Sequence, residues 1–217
     1  GFRAFNAAAG DRFFNVEVLG CEHLSYGIFA GGAQQGEVDI EDCGFDSCSY
    51  AIGSEPGSAP DSLSIRGCAF TGCGYAAILY PEQAVFSGNT VTGGKLNIMH
   101  NSQTITDNSF DGESRVKFYA APELFERNGF SADSYLDADE SAPVIDVSRN
   151  YWGGGAPSAA QLRGVSVTGK DVYYTSPDMD EGSLNTKCSV VFVYNNGLDS
   201  RRRYVLRGSA VTVPSPS

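Results

Sequence analysis

Apolar and polar residues alternate in a frame that returns along most of the chain. It is plainest in VDIEDCGF, residues 38–45, and again in LSIRGCAF, residues 63–70. The second apolar residue of each copy, Ile40 or Ile65, serves as an anchor. Three positions on stands a small residue, Cys43 or Cys68, and five positions on stands a ring, Phe45 or Phe70. The same frame fits Val18, Cys21 and His23; Phe86, Asn89 and Val91; Ile105, Asn108 and Phe110; Phe125, Asn128 and Phe130; and Val147, Asn150 and Trp152. The anchors run from 18 to 147 in six intervals, a mean of 21.5 residues. A fixed period in the twenties marks a solenoid.

Around each anchor the apolar positions alternate, as in Val38 and Ile40, Leu63 and Ile65, or Ile145 and Val147. That is strand periodicity with one buried face. A leucine-rich repeat would need a denser leucine frame. The position three after the anchor holds only Cys or Asn, as suits a bend whose side chain turns inward, and stacked Asn side chains can bond successive backbones as a ladder. An antiparallel sandwich also has short strands and Gly-rich turns, but it does not account for a column locked to one frame. The expected fold is therefore all-β: a right-handed single-stranded parallel β-helix of about seven to eight rungs over residues 1–180, with a small C-terminal β appendage over 187–217. Each rung leaves an apolar face that only stacking buries.

Second strands are expected ten to thirteen positions after the anchors, at Ile28, Ile52, Ile78 and Ile98. SEPGSAPDS, residues 54–62, reads as an outward loop. Val165, Val167 and Val172 continue the frame, with anchor 167 and Lys170 in the Asn position, and DVYYTSPDM then leaves the helix. The tail, residues 187–217, reads as a strand to Tyr194, a turn, a charged strand from Arg201, a turn and a last strand to Val213. The chain enters mid-pattern and stops after PSPS, so both ends read as cut from something longer. The six cysteines fall into columns, Cys21, Cys43 and Cys68 in one and Cys48 and Cys73 in another, with Cys188 outside both; buried, reduced thiols are expected.

Net charge is −11 over 217 residues, which argues against a nucleic-acid or anionic-membrane partner, and no apolar run reaches membrane-span length. A monomer is expected.

VIDVSRNYWGGGAPSAAQLRG, residues 144–164, resembles the last-rung pattern of secreted bacterial right-handed parallel β-helix proteins of the pectate-lyase-like superfamily, in its non-catalytic repeat form. The likeness covers about residues 16–180. The tail resembles the opening of the internalin B-repeat type of β-grasp surface repeat. These resemblances imply an extracellular or cell-surface bacterial protein and, as partner, a polysaccharide or surface glycan.

Two function classes stay open. The first is a structural or carbohydrate-contacting module, with Tyr50, Tyr75 and Tyr80 as candidate sugar contacts, since rings present apolar faces to sugars; the bland reading of Tyr50 and Tyr75 is core packing. The second is a polysaccharide lyase or glycoside hydrolase acting on acidic polysaccharide. Polygalacturonases of this fold carry paired Asp, Gly-His-Gly and Arg-Ile-Lys elements. This chain has Arg115-Val116-Lys117 as a partial match to the last, no paired Asp and no Gly-His-Gly. Arg115 and Lys117 share one strand face, and Asp137 and Asp139 lie about one rung on, so these four are the catalytic candidates if the chain is an enzyme. Asp137, Asp139 and Glu140 could offer oxygen ligands to calcium, but the spacing is not an EF-hand's, and a solvated acidic loop is the plainer reading. His23 reads as a core-edge histidine, and Arg201, Arg202 and Arg203 as a charged strand edge. No cofactor is called for, and the residues favour the non-catalytic module.

Overall fold

The computed structural model describes residues 3–19, 26–31, 36–139, 141, 143–186, 194–195 and 201–202. It is a β-solenoid of about eight turns. Each coil visits three parallel sheets in turn. The six-stranded anchor sheet stacks Arg12–Phe14, Glu37–Glu41, Ser62–Arg66, Gln83–Ser87, Thr104–Thr106 and Leu124–Glu126. The ring sheet, next along each coil, stacks eight parallel strands from Glu17–Leu19 to Val172–Tyr174 and adds Leu184–Thr186 antiparallel at its end. The long sheet has eight strands, from Arg3–Ala7 through Tyr26–Ala30, Tyr50–Gly53, Tyr75–Leu79, Lys95–Ile98, Arg115–Phe118 and Tyr135–Ala138 to Leu162–Arg163. No helix among the described residues is long and apolar enough to cross a membrane.

Five of the seven anchors form one inward column: Ile40 pairs with Ile65, Ile65 with Phe86, Phe86 with Ile105, and Ile105 with Phe125. The first rung is framed differently. Phe13, not Val18, pairs with Ile40, and Val18 lies on the ring sheet opposite Phe45. The frame was misplaced by five residues because anchor and ring positions are both apolar and five apart. Val16 thereby takes the bend position of Cys43. Cys21, which lies outside the described residues with His23, then falls eight after the anchor, in sequence with Cys48 and Cys73 rather than with Cys43 and Cys68.

The far end also differs. Ile145 pairs with Val167 and Asn150 with Tyr173, so Tyr173, not Lys170, follows Asn150, and Val172–Tyr174 is still a strand of the solenoid. Ile28 and Ile52 pair inward, but the inward residue opposite Ile52 is Ala77; Ile78 is half-buried and faces out beside Asn97. Of the tail, the structure describes one antiparallel pair, Tyr194–Asn195 against Arg201–Arg202. The rest of 187–217, Cys188 included, lies outside the described residues.

The bends explain the frame. Two residues after each anchor the backbone is left-handed: Asn15, Asp42, Gly67, Gly88, Asp107, Arg127 and Arg149 all have φ between 52° and 67°. Gly, Asn and Asp enter that region most easily. The next residue turns inward, where Asn89, Asn108, Asn128 and Asn150 build a ladder. Each Oδ1 accepts the backbone N–H of the preceding rung's bend residue, as from Cys68 to Asn89 at 2.8 Å and from Asn128 to Asn150 at 2.9 Å. Each Nδ2 donates to the preceding anchor's carbonyl, at 2.9 to 3.0 Å. Thiols continue the ladder in the early rungs: Cys68 Sγ lies 3.7 Å from the Ile40 carbonyl and Cys43 Sγ 3.6 Å from that of Phe13. Cys48 and Cys73 reach the Val18 and Phe45 carbonyls in the same way, and Ser114 and Ser134 reach those of Val91 and Phe110.

All four described cysteines are buried thiols. Burial pushes the Cys68 thiol up to about 12, whereas Cys73 is pulled below the usual thiol range, chiefly by the hydrogen bond from Cys48. Unreduced, denatured protein is expected to titrate as six thiols, with Cys73 the first of the described cysteines to react in the native fold. Finding two thiols or fewer would overturn this.

Candidate functional site

The outer face of the long sheet gathers cations. In the strand Arg115–Phe118, Val116 and Phe118 point inward, so Arg115 and Lys117 point out. Register extends that face to both sides. Lys95, Arg115 and Tyr135 form one outward column; Asn97, Lys117, Asp137 and Arg163 form the next. Four cations thus stand over four consecutive strands, which parallel pairing holds about 4.8 Å apart.

Rings hold three of these four. Lys95 Nζ lies 5.0 Å from the ring centre of Tyr75, Lys117 Nζ 4.8 Å from that of Tyr119, and the Arg163 guanidinium 3.7 Å from that of Tyr135. Such contacts fix a long cationic side chain without neutralising it. Arg115 pairs with Asp137, both about three-quarters buried. Elsewhere the described cations that pair do so with carboxylates: Arg12 with Asp39 and Glu41, Arg66 with Asp39, Arg127 with Asp107, and Arg149 with Glu181. Among the described residues, the long sheet therefore presents an array that its own side chains leave positive, on a chain of net charge −11.

The candidates named from sequence fall on or beside this face. Arg115, Lys117 and Asp137 come together as expected. Asp139 follows the strand, with its Oδ1 accepting from Ser141 N–H at 3.4 Å and Oγ at 3.3 Å; Glu140 lies outside the described residues. Tyr50 and Tyr75 stack one rung apart, ring centres 4.7 Å apart and 5° from parallel, with Tyr26 5.3 Å beyond Tyr50. Both faces of Tyr50 are thus covered, and Lys95 covers the outer face of Tyr75, so this stack offers edges to a sugar. Tyr80 follows its strand, half-buried. Lys95, Arg163, Tyr119 and Tyr135 were not found from sequence. Alternation would have turned Lys95 outward, but its neighbour on the next coil depends on register across coils of unequal length. Among the described residues no three His, Cys, Asp or Glu side chains come together to hold a metal ion.

No family model matches the chain, and neither a curated protein nor a solved structure matches it.

Proposed function

We propose that the chain is a non-catalytic module that holds acidic polysaccharide against the outer face of its long sheet, within a secreted or cell-surface bacterial protein of the pectate-lyase-like kind. The observation that carries this reading is the cationic array: Lys95, Lys117 and Arg163 are each braced by a tyrosine, and the carboxylate that stands between Lys117 and Arg163, Asp137, is paired with Arg115. One rung is close to the length of one sugar ring with its linking oxygen, so a chain lying along the solenoid over these four strands meets a cation on three of them. The acidic remainder of the surface confines polyanions to this strip. Arg115, Lys117 and Asp137 also favour a second reading, a lyase acting on the same polymer, because a carboxylate and two cations share the face.

Polygalacturonate binding, measured by affinity electrophoresis at low and high salt, tests both. Binding is expected at low salt and is expected to weaken at high salt, because exposed charges are screened. Each exposed ion contact is worth roughly 0.2–1 kcal/mol, so Lys95→Ala with Lys117→Ala should weaken binding about 2- to 30-fold. No binding at low salt would sink the proposal. Lys117-dependent formation of unsaturated products would establish the lyase instead.

A further inference from the structure

A cleft of about 340 Å³ opens on a different face, over the ring sheet near the C-terminal end. Its origin is one missing side chain. Ser109, Gly129 and Tyr151 occupy one outward column, and Gly129 leaves a hollow a full rung wide between the other two. A Cβ at Gly129 would sit 3.9 Å from Tyr151 Cδ1, so the tyrosine ring borders the hollow. Ser109, Asp111 and Ser131 line its sides, and Met179 comes in from the strap that follows Tyr174.

That strap is pinned. Arg127 donates to the Met179 carbonyl at 3.1 Å through Nη1 and to Asp107 at 2.6 Å through Nε, and Arg149 lies 3.5 Å from Glu181. Arg127 and Arg149 hold the left-handed bend position that Gly, Asp or Asn takes in earlier rungs, at φ 57° and 56°. A long side chain there is mildly strained, and what it gains is the reach to the strap.

We propose that this cleft is a second carbohydrate subsite, for a single uncharged pyranose ring. Its volume is at the small end of ligand pockets. The Tyr151 ring and Met179 supply the apolar wall that the C–H face of a sugar needs. The Asp111 carboxylate, which accepts from Ser109 Oγ at 3.0 Å, has further lone pairs for sugar hydroxyls, and Ser131 can donate or accept. Asp107 is already paired with Arg127, and Asp111 stands without a described cation, so the cleft repels the acidic sugars that the long sheet attracts.

The test is saturation-transfer NMR with the methyl glycosides of glucose, galactose and mannose, each added alone to the whole chain. At least one is expected to show transfer, lost on Gly129→Val, which fills the hollow with a residue that strands accept. The nearest atoms to the added Cβ are at ordinary contact distance, 3.8 and 3.9 Å, so this variant should fold. Tyr151→Ala should likewise lose transfer, and both variants should bind polygalacturonate as the unmodified chain does. No transfer from any of the three glycosides, or transfer unchanged in Gly129→Val, overturns the proposal. Equal loss of polygalacturonate binding in that variant overturns it too, by showing one continuous surface. The outcome stands apart from the long-sheet reading, whose failure would leave the glycoside result unaffected.

Discussion

Replacing Phe130 by alanine is expected to remove about 3–5 kcal/mol of stability, enough to lower the thermal midpoint by roughly 10 °C. Phe130 is 2% exposed and sits mid-stack, 5.0 Å from Phe110 at 12° and 4.3 Å from Trp152 at 9°. Phe125 also touches it, 6.0 Å away. Truncation leaves a hole between two large rings that the parallel strands keep a fixed distance apart, so the site cannot collapse. The ring contacts add about 0.5–1.5 kcal/mol each beyond area. Phe14, 64% exposed on the anchor sheet, is the control; its truncation should stay within about 0.5 kcal/mol. Equal midpoints for Phe130→Ala and Phe14→Ala would show that the ring column does not hold the stack.

The column logic was legible because it repeats. Ile40 and Ile65 are inward and adjacent, as alternation required, and Asn89 to Asn150 do form a ladder. What failed is phase. Val18 imitates an anchor because a ring position is also apolar and Cys21 happens to follow it by three. Lys170 imitates a bend residue because the wide loop before Val165 hides how many positions the coil absorbs. The left-handed column at Asn15, Asp42, Gly67, Gly88 and Asp107 was present in the sequence and would have placed Phe13 correctly. Arg127 and Arg149 interrupt it only where the strap needs them.

The site was less legible for the same reason. Arg115 and Lys117 share a face within one strand, and periodicity alone shows that. That Arg163 stands over Tyr135, or that Lys95 stands over Tyr75, depends on the register between coils separated by loops of different length. The cleft beside Gly129 is harder still. A glycine in a strand is a weak signal, and its roof is supplied by Met179, far along the chain.

Asn128→Ala is the second large effect expected, and it separates hydrogen bonding from packing. The Asn128 side chain is fully buried. Its Oδ1 accepts from the Asn108 backbone at 3.2 Å and from Asn108 Nδ2 at 2.9 Å; its Nδ2 donates to the Ile105 carbonyl at 2.9 Å. Alanine therefore strands a backbone N–H, an amide proton and a carbonyl inside the coil, each costing about 1–3 kcal/mol. A total of roughly 3–9 kcal/mol follows, at least comparable with the loss of Phe130 although far less apolar area is removed. Asn128→Cys should recover part of this. The thiol of Cys68 already stands in the Asn position, facing the Ile40 carbonyl at 3.7 Å and the Cys43 N–H at 3.4 Å. Both contacts are longer than their Asn counterparts, and sulfur is the weaker partner. The expected order in urea denaturation is Asn, then Cys, then Ala. If Asn128→Cys proves no more stable than Asn128→Ala, the thiols of the early rungs are packing residues and the ladder begins only at Asn89.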